Sequence, residues 1–219
     1  CEGKMKLIDL TVKDFIDEID SKSPAPGGGS VAALISTMGV ALARMVGHLM
    51  VGKKKYIAYS PEIQMEFLDV QKELGLVKEI LASFVDKDTE AFNLIMKAFQ
   101  MPKTTKEEIE KRNIKIQEGT LEAIAIPLEV ASLSLAAMHQ FPFLIKYGNK
   151  QTISDLGVAV MSLAVGAEGA CMNVLINLAS LDDKIAVKQF KLQVNDLLQT
   201  VHDLRDQLLS SIYQILNID

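Results

Sequence analysis

Apolar residues recur at helical spacing along nearly the whole chain. Val12, Phe15, Ile16 and Ile19 fit i, i+3, i+4, i+7 and predict a short amphipathic helix after Thr11. Residues 21–30 (SKSPAPGGGS) break that pattern. Residues 30–51 follow, apolar on every side and rich in small residues (Ala32, Ala33, Gly39, Ala41, Ala43, Gly47) that let helices approach closely. Gly52 and the run Lys53, Lys54, Lys55 close that helix, with cations near the negative end of its dipole. Ser60-Pro61 combines a capping residue with proline at the first helical position and starts a long helix that stops before Pro102. Thr105 and Glu108 form a capping box for the next helix. Pro127 is expected to kink or divide it, and Pro142 lies near its end. After a turn at Gly148-Asn149, Ser154-Asp155 is expected to open a second strongly apolar helix that runs to about Leu181. Asp182-Asp183 caps the last helix. There Phe190, Val194, Leu197, Val201, Leu204 and Leu208 alternate by four and three in a coiled-coil-like seam.

No hairpin signal, internal repeat or low-complexity tract interrupts this pattern. The expected fold is all-α. A single domain over residues 1–219 forms one bundle of about six helices, with two nearly apolar helices (30–51 and 155–181) in the middle. A helix that is apolar all round has to be covered all round. Six helices barely wrap two such helices, so a homodimer is expected to cover the remainder. Met5 is taken as the natural start, with residues 1–4 a remnant ahead of it.

Composition narrows the function classes. With 219 residues and 49% hydrophobic content the chain can bury a substantial core, which excludes disorder. Its 23 basic against 28 acidic residues give a net charge of −5, which argues against a general nucleic-acid binder. Aromatics are 5%, Trp is absent and Met numbers ten, a helix-leaning apolar set. Cys1 and Cys171 do not make a disulfide framework, and no leader pattern opens the chain, so a reducing, cytoplasmic setting is expected. The longest uncharged runs (31–43, 130–145, 156–167 and 169–181) fall short of the ~18 residues of a spanning helix, so no membrane crossing is expected.

Gly27-Gly28-Gly29-Ser30-Val31-Ala32 formally matches a dinucleotide-binding loop, but a helix and a Ser-Pro-Ala-Pro segment precede it where a strand is required. No Gly-Lys-Ser/Thr follows, so it is not a phosphate-binding loop of the nucleotide-hydrolase kind. What remains is a glycine-lined helix start whose free N–H groups can hold an anion or a carbonyl oxygen. A tight turn between packed helices is the bland alternative. Asp88 falls on the apolar stripe Val77, Ile80, Leu81, Phe84, Ala91, Ile95, Phe99, whereas Asp86, Lys87 and Glu90 lie off it. A carboxylate on such a face is paired, with Arg44 as the candidate partner, or marks a stripe end emerging into solvent, or lines a cavity where its raised pKa suits acid–base work. Asn173 and Asn177 sit four apart in an apolar helix and need partners from another helix or a polar ligand. Glu168 is expected to pair with Arg44. His48, His139 and His202 show no metal-ligand spacing, so no metal is expected, and Cys171 is expected to be inertly buried.

Four segments together resemble the cyclodeaminase domain of the formiminotransferase-cyclodeaminases and the single-domain methenyltetrahydrofolate cyclohydrolases. They are residues 23–34 (SPAPGGGSVAAL), 86–92 (DKDTEAF) with Pro102 after it, 125–131 (AIPLEVA), and 148–178 (GNKQTISDLGVAV…GACMNVLINL). The resemblance implies a dimeric all-helical domain with a folate site near the glycine loop and Asp88 as acid–base group. On that reading Pro26, Gly27, Gly28, Gly29, Ser30, Lys53, Lys54, Asn149, Asp155 and Asn173 line the site. The lysines would hold a polyglutamate tail. The tetrahydrofolate derivative is the substrate, and no further cofactor is implied. The chain departs from the resemblance at Lys87, Thr89 and Glu90, where relatives often carry small residues. Two other classes stay open: a non-catalytic folate-binding protein, and a partner-binding module using the 190–208 seam.

Overall fold

The computed structural model describes residues 5–217, so the readings on Cys1 and on residues 1–4 fall outside the described residues. Eight α-helices follow in order: α1 (Val12–Ile19), α2 (Gly28–Met50), α3 (Lys54–Ile57), α4 (Pro61–Phe99), α5 (Lys106–Met138), α6 (Phe141–Tyr147), α7 (Ile153–Asn177) and α8 (Lys184–Leu216). The described residues contain no strand. Each of the six expected helices is present, and α3 and α6 are short additions beside the long ones.

The helix starts follow side-chain chemistry. Thr11 accepts from the Asp14 N–H at 3.1 Å and opens α1. Thr105 and Glu108 complete a reciprocal capping box at α5. Asp183 accepts from the N–H groups of Ile185 and Ala186 and opens α8. The start of α7 differs from expectation. Asn149 accepts from the Gln151 N–H at 3.0 Å and winds residues 150–152 into a 3-10 turn. Helix therefore begins at Ile153 behind Thr152, and Ser154 and Asp155 lie inside its first turn instead of capping it.

Pro127 does not divide α5, which runs unbroken through it. Proline has no N–H, so it leaves the carbonyl four residues back without its helical partner. That carbonyl belongs to Ala123, and the Asn177 side-chain amide on α7 donates to it at 2.8 Å. The orphan acceptor of one helix is thus satisfied by the half-buried amide of another.

α2 lies antiparallel to α7 at close range. A Cβ added to Gly39 would come within 3.0 Å of the Ala159 carbonyl oxygen and Leu163. One added to Gly166 would collide with the Ser36 hydroxyl. Ser134 of α5 donates to Ser36 at 2.8 Å in the fully buried centre where these helices meet. α4 packs antiparallel on the other flank of α2, with Gln71 over Gly47 and the Arg44 guanidinium over Gly75. The seam of α8 is used inside the chain. Val194, Val201, Leu208 and Ile212 are buried, and Phe190, Leu197 and Leu204 pack against the same core.

α2 and α7 each bury one face and leave the other bare. Met38 and Leu49 on α2, and Val158, Met161, Val165, Met172 and Ile176 on α7, are exposed in the single chain. By length and composition alone, three helical stretches (Gly28–Met50, Lys106–Tyr147 and Lys150–Ser180) are apolar enough to cross a membrane. This corrects the count of unbroken uncharged runs, which discarded stretches interrupted by one or two charges. About half of the most apolar part of each such stretch is buried inside the bundle.

Candidate functional site

Asp88 lies on the α4 face that also carries the buried Leu81, Phe84 and Val85, and it is half-buried. It meets the first turn of α2. Gly27 is the extended N-cap, and Gly28, Gly29 and Ser30 form the turn whose N–H groups have no carbonyl behind them in the helix. The Asp88 carboxylate rests directly on Gly29, and a Cβ there would overlap all three atoms of the carboxyl group. Ser30 donates its hydroxyl to Asp88 Oδ2 at 3.2 Å, and its N–H points at the same group. Ser30 is fully buried, and its Oγ also lies 3.1 Å from Thr89 Oγ1.

The three glycines do different work. The Asn173 amide on α7 lies over Gly28, with Nδ2 3.3 Å from where a Cβ would stand. Gly29 admits the carboxylate. Gly27 faces only the Pro24 carbonyl, at 3.7 Å from an added Cβ. Asn173 is held in place by donating to the Gly169 carbonyl one turn back at 2.8 Å. Pro26, buried and joined to Ala25 by a cis bond, sits just before this turn. Asp88, Pro26, Gly27, Gly28, Gly29, Ser30 and Asn173 therefore form one cluster from three helices and a loop.

Burial raises the Asp88 pKa above the ordinary carboxyl value, and the Ser30 hydroxyl and N–H pull it back only in part. A carboxyl group so placed can give or take a proton, while the adjacent helix N-terminus offers donors to a substrate oxygen or nitrogen lone pair.

Lys53, Lys54, Asn149 and Asp155 are at the opposite end of the bundle. Lys53 follows the C-terminus of α2, about 24 residues or roughly 35 Å along the helix axis from Gly29. Gly148, beside Asn149, contacts Val46 in the last turns of α2. Asn149 spends its side chain on the 3-10 turn. The chain by itself does not bring these four residues to the Asp88 cluster.

The expected pairing of Glu168 with Arg44 is corrected, and the alternative of an Asp88–Arg44 pair does not form. Arg44 pairs with neither Asp88 nor Glu168, because the missing side chain at Gly75 draws its guanidinium onto α4. Glu168 instead meets His202 Nε2 of α8 at 3.2 Å. Cys171 is fully buried, and burial pushes its thiol pKa up to about 11, with the Glu168 charge adding to the effect. Asp86 and Thr89 are contributors that periodicity did not reveal. Asp86 accepts from the N–H groups of Leu7 (2.6 Å) and Ile8 (3.2 Å) and ties the N-terminal segment to α4. Two aspartates two apart cannot share a helix face, which is the one sequence signal that their roles differ. Thr89 carries no such signal, since its partner Ser30 is remote in sequence.

A helical bundle with a glycine-opened helix start against a half-buried carboxyl group defines the class. The formiminotransferase-cyclodeaminase family model matches residues 11–210, and the chain belongs to that family. It is 32% identical over 207 residues to a methenyltetrahydrofolate cyclohydrolase of Methylorubrum extorquens, covering 94% of this chain and 98% of that protein. It is 34% identical over 196 residues to the formimidoyltransferase-cyclodeaminase of Rattus norvegicus, covering 90% of this chain but only 36% of that longer protein. The solved structure of a formiminotetrahydrofolate cyclodeaminase from Thermotoga maritima shares the fold, with a TM-score of 0.77 and 24% identity over 97% of this chain and 98% of that one.

Proposed function

We propose that the chain is a tetrahydrofolate one-carbon enzyme with Asp88 as its general acid–base group. The observation that carries this reading is the half-buried carboxyl group seated on Gly29 at the start of α2. The names of the relatives supply the substrate class. In the ammonia-releasing direction, N10 of 5-formiminotetrahydrofolate attacks the formimino carbon and loses its proton. The former imino nitrogen gains protons and leaves as ammonia, and 5,10-methenyltetrahydrofolate forms. In the hydrolytic direction, water attacks that same carbon, the bond to N5 breaks and 10-formyltetrahydrofolate forms. Asp88 takes the proton from the attacking group and returns one to the leaving nitrogen, a role worth about 10²–10⁴-fold in rate. Neither direction transfers electrons, so the folate is the substrate and no resident cofactor is proposed. The N–H groups at Gly28 and Gly29 and the Asn173 amide orient the folate; such positioning supplies further rate.

A second copy completes the proposal. The bare faces of α2 and α7 are side by side and apolar, and a homodimer buries both. If the copies run antiparallel, the end bearing Lys53, Lys54, Asn149 and Asp155 comes beside the glycine turn of the other copy, where the lysines can hold a polyglutamate tail. The test is a paired assay of the unaltered protein with 5-formimino- and 5,10-methenyltetrahydrofolate. Turnover of either above the spontaneous rate is expected. Binding without turnover selects a folate-binding protein, and neither selects a partner-binding module.

A further inference from the structure

The two reaction directions differ in their proton balance. Hydration of the methenyl carbon forms a C–O bond, breaks the bond to N5 and releases one net proton. Ammonia release breaks a C–N bond, closes the ring through N10 and takes up one net proton. Under the proposed function, on which this inference rests, folate covers Asp88 on the side of Gly28 and Gly29. The proton therefore needs a route on another side.

Such a route is present. Ser30 Oγ is fully buried and lies between Asp88 Oδ2 (3.2 Å) and Thr89 Oγ1 (3.1 Å). Thr89 in turn lines a separate cavity of about 230 Å³ together with Lys6, Pro26, Asp86, Glu90 and Asn93. Its wall mixes these polar side chains with Met5, Leu7 and Ala25, and the space is large enough for several waters, each of which takes about 30 Å³ in the liquid. Two hydroxyls thus connect the carboxyl group to a chamber that is distinct from the glycine mouth.

We propose that Ser30 and Thr89 form a two-hydroxyl relay that exchanges the proton of Asp88 with water in this cavity. In hydrolysis the protonated Oδ2 gives its proton to Ser30 Oγ. Ser30 passes its own to Thr89 Oγ1, and Thr89 passes its own to a cavity water. Three O–H bonds break and three form, and rotation of the two hydroxyls restores the starting state. In ammonia release the same chain runs inward. Ser30 touches the reacting carboxyl group, whereas Thr89 acts through Ser30 and is a positioning residue.

The test compares the unaltered protein with Thr89→Val, which keeps the shape and removes the hydroxyl, and Thr89→Ser, which keeps the hydroxyl. Circular dichroism checks that each variant is folded. In dilute buffer Thr89→Val is expected to lose ~3- to 10-fold in kcat on 5,10-methenyltetrahydrofolate with KM unchanged. Thr89→Ser is expected to keep most of the rate. Added imidazole, a small proton carrier, is expected to restore the valine variant after the spontaneous reaction is subtracted. An unchanged kcat for Thr89→Val in dilute buffer overturns the relay, and so does a loss that neither serine nor imidazole restores. If the unaltered protein turns over no folate, the enzymatic reading itself fails and the relay fails with it.

Discussion

Gly29 and Asp88 occupy one volume between them, and that shared volume is the residue-scale basis of the site. Gly29→Ala places a methyl group where the carboxylate is. Displacing Asp88 is expected to remove most of the turnover and to cost about 1–3 kcal/mol, as overpacking commonly does. Gly27→Ala has only the Pro24 carbonyl near it, at 3.7 Å, and is expected to keep both the fold and the rate. Denaturant unfolding and initial rates measured on the two alanine variants check this contrast, and equal behaviour of the pair would contradict it. The raised pKa of Asp88 also fixes a sign. Below the unfolded carboxyl pKa the group is protonated in both states and its contribution to stability is fully present. As pH rises through the folded value, that contribution is lost, because the folded site resists the charge. Asp88→Asn is therefore expected to be at least as stable as the unaltered protein at pH 7 and to lose this part of the pH dependence. A lower midpoint in urea at pH 7 than at pH 5, for the unaltered chain relative to the variant, is the expected result. Asp88 and the glycine turn were legible in the sequence, because a carboxylate on an apolar stripe and three consecutive glycines each break a local rule. Thr89 and Asp86 were not, because their partners, Ser30 and the Leu7–Ile8 backbone, lie 59 and 78–79 residues away.

At the scale of elements, the long helices follow from their caps and apolar periods, and the exceptions have local causes. α7 begins before Ser154 because Asn149 winds the preceding residues first. α5 survives Pro127 because a neighbouring helix meets the carbonyl that proline frees. The sequence displayed both Pro127 and Asn177 but not that they answer each other, since that depends on how α5 and α7 are set against one another. Asn177→Leu removes the donor and leaves the Ala123 carbonyl buried without it. A loss of about 1–3 kcal/mol is expected, read as a lower urea midpoint at unchanged slope. An unaltered midpoint would show that the amide does not support the helix.

At the scale of the whole molecule, two apolar helices are packed side by side with their outer faces uncovered. Apolar content in the sequence indicated that six helices cannot wrap them, but not which face would stay bare. Met172→Glu puts a charge on that face, where Met172 is 60% exposed in the single chain. The dimer proposed above is expected to dissociate in this variant, seen as a halved mass by light scattering. An unaltered protein already monomeric at micromolar concentration would contradict the dimer. Lys53, Lys54, Asn149 and Asp155, grouped by sequence resemblance with the glycine loop, stand at the far end of the same chain; resemblance preserves order along the sequence and carries no distance in space.

The central claim is that one carboxyl group, held at the start of α2, moves the proton in folate turnover. Its most direct test is the rate of Asp88→Asn at pH 7 on 5-formimino- and 5,10-methenyltetrahydrofolate, with folate binding measured alongside. The account predicts retained binding and at least a ~10-fold loss of turnover. Retained binding with turnover equal to that of the unaltered protein would contradict it.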